Sequence, residues 1–472
     1  MKTLLLLFTL LLTSYLHASD KPNILFIYTD DQAPWALGES GNKQALTPNM
    51  DKLAREGVYY PNAYTTTPVC SPSRAGLLTS KYGYETGIDD WINTKYKSLT
   101  EQEPELGLDA NLPNWVRDLQ NHGYHTGLVG KWHLGYQAGH HPSHYGYDEF
   151  HGFIAGGTKP INPTIETGGK LVQTKGFTAD VLTDFAIDFI NRHQTQPFML
   201  SLHYRAPHTN WLPVAKDDML PIKAKDIELP HPDYPNLNSK RAKRMMREYL
   251  SSLRSVDRNL GVLLSKLDEL KLSDNTVVIF TSDHGYNLGH NGIWHKGNGH
   301  WLLKTPTAAT PNIPKNQRPN MYDTSIKVPL FIKWPQVGAQ GKQSLSTFSN
   351  LDWYPTILSI AGIKPKKELR FRGVDQSSTI SAPERIISDD YYAAYTTKHQ
   401  SKSGMRMYSD GRYKLVKDFI NTDRDEFYDL SRDPAETTNI INTNNALELS
   451  IIKSFNEKIT AKMAATNDPL LK

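Results

Sequence analysis

The chain is nearly without cysteine: Cys70 is the only one in 472 residues. A single thiol cannot close an intrachain disulfide, so a disulfide-stapled fold is excluded. Beyond the N-terminal residues no apolar run is long enough to span a bilayer, and no membrane-crossing segment is expected. No dense basic run or nucleic-acid-binding signature occurs, and 53 Lys and Arg against 49 Asp and Glu give a net charge of only +4. Nucleic acid is therefore not indicated as a partner, while an anionic substrate is permitted. Internal repeats and low-complexity tracts are also missing. At 38% hydrophobic and 22% charged residues the composition is globular,. The length calls for two to three domains, or one large α/β domain with an appendage.

What is present begins with MKTLLLLFTLLLTSYLHASD. Lys2, the apolar run Leu4–Leu12 and the small residues Ala18 and Ser19 have the layout of a secretory signal peptide over residues 1–18. This predicts a periplasmic or secreted protein, and with no cysteine at the end of the segment no lipid anchor is expected. In an oxidising compartment the unpaired Cys70 is either buried and inert or put to use. Its count alone does not choose between the two.

Apolar, β-branched runs at Ile24–Tyr28, Thr126–Val129, Phe198–Tyr204, Val277–Phe280 and Val328–Ile332 predict buried strands of a mainly parallel sheet. Between them lie helical patterns. The clearest runs from about Lys240 to Leu270, with Met246, Leu250, Leu253, Val256, Leu260, Leu263, Leu267 and Leu270 on one stripe. Alternating strands and helices predict an α/β layered architecture. After about Ala361, short runs at Arg406–Tyr408, Tyr413–Lys417 and Glu426–Leu430, separated by turn signals, predict an antiparallel sheet. A helix from about Ala446 to Ala465 follows. The expected division is residues 19–360 as a catalytic α/β domain and 361–472 as a smaller α+β subdomain. Lys304–Asn320, rich in Pro and Thr, reads as a long surface loop.

Polar residues follow four of the strands: Asp30-Asp31, Gly130-Lys131-Trp132-His133, Arg205-Ala206-Pro207-His208 and Asp283-His284. Ligands of open α/β sheets sit beyond the carboxyl ends of strands, so these groups are expected at one edge. Three carboxylates plus an imidazole or further oxygen suit a hard divalent cation such as Ca²⁺. They do not suit structural zinc, which takes thiolates or more imidazoles. Singly, each acidic pair also reads as a solvated turn or cap.

The segment Cys70-Ser71-Pro72-Ser73-Arg74-Ala75-Gly76-Leu77-Leu78-Thr79-Ser80 resembles the signature of type I, formylglycine-dependent sulfatases. Thr47–Gly57, Gly130–Gly135, Thr281–Gly285, Val328-Pro329-Leu330, Asp352–Thr356 and Tyr428–Glu436 are similar to further pieces of that family, and the resemblance extends from about Lys21 to Asn439. It implies an alkaline-phosphatase-like fold, with a large mixed, mainly parallel sheet sandwiched by helices and a smaller C-terminal subdomain with an antiparallel sheet. It also implies oxidation of Cys70 to formylglycine (3-oxoalanine) by a maturation enzyme. By the same resemblance Asp30, Asp31, Asp283 and His284, with the residue-70 oxygen, hold one Ca²⁺. Arg74 steadies the cluster, Lys131 clamps sulfate and His133 acts as base. His208 and Lys296 contact the ester oxygens, one of them supplying the leaving-group proton. Where the family often has Asn this chain has His284, which leaves the coordination number open.

Aromatic and imidazole residues crowd two expected rim loops, one with Tyr136, His140, His141, His144, Tyr145 and Tyr147, the other with Trp294, His295, His300 and Trp301. Such rings stack on sugars or simply pack the loops. With the export signal they predict a sulfated carbohydrate substrate, such as the algal glycans ulvan or carrageenan. Two rivals are a phosphonate or phosphodiester hydrolase of the same superfamily and a non-catalytic glycan-binding protein on this scaffold.

Overall fold

Asn23–Thr29 (β1) is the centre of the molecule. Ile24, Phe26 and Tyr28 point into one apolar layer and Leu25 and Ile27 into the other. A strand buried on both faces needs apolar residues at every position, which is why it reads as a continuous run. The computed structural model describes residues 21–93 and 106–471; the expected signal peptide, residues 1–18, lies outside them.

The other principal strands are His125–Lys131 (β2), Glu149–Phe153 (β3), Phe198–His203 (β4), Thr276–Ser282 (β5) and Leu330–Lys333 (β6). β1 lies between β4 and β5, and β2 lies between β4 and β3, all in parallel. Two-residue strands extend the sheet beyond β6, and the hairpin Thr164–Thr167/Lys170–Gln173 extends it beyond β3, to ten strands in all. The run Val328–Ile332, expected to join the parallel set, instead pairs antiparallel with β5 through Leu330–Lys333. A buried apolar run looks the same in either direction, so composition could not supply the polarity. The hairpin was not foreseen at all, because Lys170–Gln173 is exposed throughout and carries no apolar alternation.

Helices cover both faces, as the α/β reading requires. Ser239–Glu269 (α3) buries Met246, Leu250, Leu253, Val256, Leu260, Leu263 and Leu267 against Leu25 and Ile27, and its first turn is capped by Asn238, whose side chain accepts from Arg241 N–H,. Thr178–His193 (α2) shares that layer. On the opposite face lie Cys70–Thr79 (α1) and the helix Trp353–Ile360.

The antiparallel sheet is present with four strands in sequential order: Tyr391–Thr397 (β7), Ser403–Ser409 (β8), Tyr413–Asp418 (β9) and Glu426–Asp429 (β10). β7 was missed because both of its faces are buried and it lacks the period-two pattern. Ala446–Ala465 (α4) packs Phe455, Ile459 and Met463 on one face of this sheet. The other face lays Tyr391, Ala393, Tyr395 and Met405 against Tyr64, Val69, Met321 and Ile326. Thr67 Oγ1 donates to the Ala394 carbonyl at 2.8 Å, and Ala394 N–H donates to the Thr66 carbonyl at 2.9 Å. The small sheet thus braces the strap that leads into Cys70. Lys304–Asn320 is a loop, as expected, and among the described residues no helix is long and apolar enough to cross a membrane.

Candidate active site

β1, β2, β4 and β5 end at the same edge of the sheet, and every site residue expected from the sequence converges there. Asp31 has φ +70°, a left-handed conformation that costs about 1–2 kcal/mol for a residue with a side chain,. The turn breaks strand alternation, so the consecutive carboxylates of Asp30 and Asp31 both enter the site. His133 turns the same way beyond β2, with φ +63°. Glycines make the room: a Cβ on Gly130 would stand 2.0 Å from the His203 carbonyl oxygen, and one on Gly156 would stand 2.6 Å from His133 Nε2.

Cys70 is the first residue of α1, entered from an extended Val69. The unsatisfied N–H groups and dipole of a helix N-terminus favour negative charge there. Lys296 Nζ donates to Cys70 Sγ at 2.9 Å and to Asp31 Oδ1 at 2.7 Å, while Lys131 Nζ donates to Asp30 Oδ2 at 2.7 Å. Burial pushes the Cys70 thiol up, but Lys131, Lys296 and His284 more than offset it and hold the thiol well below its ordinary value. Asp30 and Asp31 are likewise held below the usual carboxylate range, against burial, by Lys131 and Lys296 respectively.

Arg74, one turn into α1, is fully buried. Its Nε and Nη2 donate to Asp283 Oδ2 at 3.1 and 3.0 Å, its Nη1 donates to the Lys131 carbonyl at 3.2 Å, and its guanidinium lies over the Tyr28 ring. One side chain therefore joins α1 to the ends of β2 and β5. Ser73 Oγ donates to the Asp283 carbonyl, and Asn350 Nδ2 donates to the Ser73 carbonyl. The sequence offered no signal for Asn350, which lies 277 residues from its partner.

The metal expectation has direct support in the geometry. Ligand atoms of Asp30, Asp31, Cys70 and His284 all lie within 4.8 Å of one another. Asp31 Oδ2 is buried without a hydrogen-bond partner. An orphaned, fully buried carboxylate oxygen is costly unless a cation meets it. His284 Nδ1–H donates to the Gly285 carbonyl at 3.0 Å, so in the neutral ring Nε2 presents its lone pair to the cluster,. Asp283 stands slightly apart from these four: its Oδ1 is 3.4 Å from His284 Nε2 and accepts from Asp31 N–H at 3.1 Å. The residues fit a hard divalent cation.

Above the cluster is a cavity of about 510 Å³, reached by Cys70, His133, His208 and Lys296. His133 Nε2–H donates to the Ile92 carbonyl at 2.9 Å, which leaves Nδ1 as an acceptor with no hydrogen-bond partner. Burial pushes this imidazole down to about 4, so it is a neutral base at pH 7. His208 Nε2 is 4.0 Å from Asp31 Oδ2. Trp91, Asn93, Asn298 and the Gly156-Gly157 pair also line the cavity, and none was foreseen. Arg205, named only as a neighbour of His208, is buried beside Asp30 and Asp31, and desolvation lowers its pKa to about 10.

The rim expectation needs correction. Of the ten aromatic and imidazole residues only Tyr136 and His295 line this cavity. Tyr145 and Tyr147 are core residues, His140 Nδ1 is bonded to the Leu108 carbonyl, and Trp294 packs against His295 and His300. Loop aromatics were recruited by the nearest apolar surface, which sequence distance does not reveal.

Comparison with known proteins agrees with this site. The Sulfatase family profile matches residues 22–363, and that of the N-sulphoglucosamine sulphohydrolase C-terminal region matches residues 316–465. An N-acetylglucosamine-6-O-sulfatase of Bacteroides thetaiotaomicron is 27% identical, over 89% of this chain and 82% of its own length. An ulvan-active sulfatase of Formosa agariphila is 28% identical, over 77% of this chain and 66% of its own. In fold, the chain superimposes with a TM-score of 0.80 on a solved structure in complex with its substrate D-glucosamine-2-N,6-O-disulfate. That likeness covers 96% of this chain and 100% of the other, at 24% identity. With well over half of its length matched by the family profile, and the site in place, the chain belongs to the sulfatase family and is a sulfatase.

Proposed function

We propose that the protein removes sulfate from a sulfated carbohydrate, using a formylglycine made from Cys70 by a maturation enzyme, with Ca²⁺ held by Asp30, Asp31, Asp283, His284 and residue 70. One observation carries this reading: Cys70 stands at a helix N-terminus on the floor of a cavity, within 3.7 Å of Asp30 Oδ1, 3.4 Å of His284 Nε2 and 2.9 Å of Lys296 Nζ. The carbohydrate is supported by the relatives named above, which are sulfatases of an aminosugar and of ulvan. Within that class the reading is an algal polysaccharide or its oligosaccharides, such as ulvan or carrageenan, supported by the likeness to the ulvan-active sulfatase. The catalytic α/β domain, residues 19–360, would supply the chemistry, and the smaller subdomain, 361–472, would brace the Cys70 strap.

Formylglycine at position 70, once formed at the start of α1, would supply a hydrated aldehyde whose two hydroxyls suit attack on sulfur and later release of sulfate. The bound cation supplies Lewis-acid polarisation and a lowered hydroxyl pKa. The remaining work falls to this chain's side chains. Lys131 and Lys296 are point charges that stabilise the negative oxygens of the ester as charge builds on them. His133 Nδ1, held in the acceptor tautomer by the Ile92 carbonyl, takes the proton of the second hydroxyl. Lys296 is fixed in the floor by Asp31 and Cys70, whereas His208 reaches the cavity with its side chain 21% exposed. We read His208 as the group that gives a proton to the departing sugar oxygen, from Nε2 of its imidazolium form, which Asp30 and Asp31 favour against the desolvation that pushes its pKa down.

The test begins with protein from a host that carries a formylglycine-generating enzyme, and with the mass of the peptide containing residue 70. Loss of H₂S with gain of one oxygen is expected. Sulfate release would then be followed from ulvan, carrageenan and glycosaminoglycan oligosaccharides, with Cys70→Ala as blank. Full activity of a form that retains the thiol would sink the mechanism. Turnover of phosphodiesters in preference to every sulfate ester would return the reading to the phosphodiesterase branch.

A further inference from the structure

The segment that follows β4 lines a much smaller cavity of about 20 Å³, which shares no lining residue with the catalytic one. It has room for one water molecule or one monatomic ion and little more. Its walls come from three places: Arg205 and Trp211 in the segment after β4, Thr178 and Ala179 in the first turn of α2, and Ser252 and Ser255 in the middle of α3.

Donors without acceptors gather here. Arg205 is 4% exposed and its Nε–H has no hydrogen-bond partner, and Trp211 is 5% exposed and its Nε1–H has none either. A guanidinium and an indole N–H can only donate. Even lowered to about 10 by desolvation, Arg205 is a cation at pH 7. Asp30 and Asp31 attract it from a distance, but Lys131 and Lys296 take their hydrogen bonds. The third donor is the first turn of α2. This 16-residue helix starts after Phe177, whose side chain cannot cap it. Thr178 N–H donates to the Pro160 carbonyl at 2.9 Å, which leaves the next N–H, that of Ala179, at the positive end of the helix dipole without a cap,.

The acceptors close by are already engaged. The Phe177 carbonyl accepts from Val181 N–H at 3.0 Å and the Ser252 carbonyl from Ser255 Oγ at 2.6 Å. Asp180, the carboxylate in this turn of α2, accepts on Oδ1 from Arg258 Nη2 at 2.8 Å and Asn259 Nδ2 at 2.7 Å. A water molecule could accept from the open donors but would still need acceptors for its own two hydrogens. A monatomic anion needs donors only, and it also neutralises a guanidinium buried without a counter-ion. Carboxylates, sulfate and phosphate are too large for the space.

We propose that this cavity is a buried halide site, filled by chloride in the working enzyme and held by Arg205, Trp211 and the N-terminus of α2. The ion ties both ends of Arg205–Trp211, the segment that carries His208, to the helices that cover the sheet. The site is independent of which ester the catalytic cavity takes.

The experiment uses the matured, Ca²⁺-loaded enzyme exchanged into potassium acetate. KCl or KBr replaces the acetate at constant ionic strength while Tm is followed, and crystals in graded KBr are read by bromine anomalous scattering. Both halides are expected to raise Tm saturably over acetate, since an ion that binds only the native state stabilises it by mass action. One bromide is expected between Arg205, Trp211 and Ala179. Trp211→Phe keeps a ring in place and removes the N–H, and it should raise the halide concentration for half-occupancy about tenfold, the worth of one hydrogen bond to an ion. A Tm indifferent to the exchange of acetate for halide would overturn the site. So would a wild-type crystal with no bromide at that position, or a half-occupancy that Trp211→Phe leaves unchanged.

Discussion

His208 and His133 face the same cavity and each spends one ring N–H on a backbone carbonyl, so the groups beside them separate their work: Asp30 and Asp31 beside His208, Cys70 beside His133. His208 Nδ1 donates to the Thr209 carbonyl at 2.6 Å, leaving Nε2 toward Asp31 and the cavity, whereas His133 keeps Nδ1 as its open acceptor beside Cys70. A proton donor matters in proportion to how poor the leaving group is. His208→Ala should therefore lower kcat on a sugar sulfate by about 10²–10⁴, the usual contribution of general acid catalysis. It should lower kcat far less on 4-nitrophenyl sulfate, whose phenolate departs without a proton. His133→Ala should slow both substrates alike, since it acts after the alcohol has gone. Equal losses in the His208 variant on the two substrates would assign the proton to Lys296 instead. Cys70 itself was legible at this scale because its motif is local, five residues from Cys70 to Arg74. Asn350 and Asn298 were not, because single polar residues carry no pattern until the fold brings them in.

Among the elements, the carboxyl edge of the sheet carries chemistry and the opposite edge carries a different charged knot. Glu149 opens β3, His125 opens β2, and Arg192 and His193 end α2. Arg192 Nη1 and Nη2 each donate at 2.7 Å to a Glu149 oxygen, and His125, His151 and His193 surround the same carboxylate at 3.0, 3.2 and 2.7 Å. Burial pushes Glu149 up, but these donors more than reverse it and hold the group well below the usual carboxylate range. A depressed carboxylate contributes stability that is complete above its unfolded pKa and is lost as pH falls through the folded one. Glu149→Gln should thus cost about 1–2 kcal/mol at pH 7, in line with charge-assisted hydrogen bonds that are partly exposed. Urea titrations should show that gap undiminished from pH 7 to about 5 and closing below about pH 4. A gap independent of pH would mean that the side chain acts by packing alone.

For the molecule as a whole, the metal cluster should couple to folding. Asp30, Asp31, Cys70 and His284 come from three separate stretches of the chain, 254 residues from first to last, so no such site exists when the chain is unfolded,. A cation that binds only the native state stabilises it by mass action, about 2.7 kcal/mol at a hundredfold excess over Kd. Free Ca²⁺ should raise Tm in a concentration-dependent way, EGTA should reverse it, and Asp31→Asn should abolish the shift. A Tm indifferent to Ca²⁺ in the wild-type enzyme would count against a metal held by these residues. Mg²⁺ should substitute less well, because it demands a stricter octahedron than carboxylates fixed by lysines can adopt.

The amino-acid sequence determined the layered α/β class, the long helix to within a residue at each end, the antiparallel sheet and ten polar residues that the fold gathers at one sheet edge. Hydrophobic periodicity and a contiguous motif are local properties, and local properties survive in one dimension. Tertiary structure alone decided that β6 runs antiparallel to β5, because direction follows from the path of the connection and not from the composition of the strand. It alone put Tyr145 and Tyr147 of the expected aromatic rim into the core and left only Tyr136 and His295 on the cavity. It also brought Thr397–Ser401 beside Trp91, a contact across some 300 residues that only packing of the small sheet on the Cys70 strap could make.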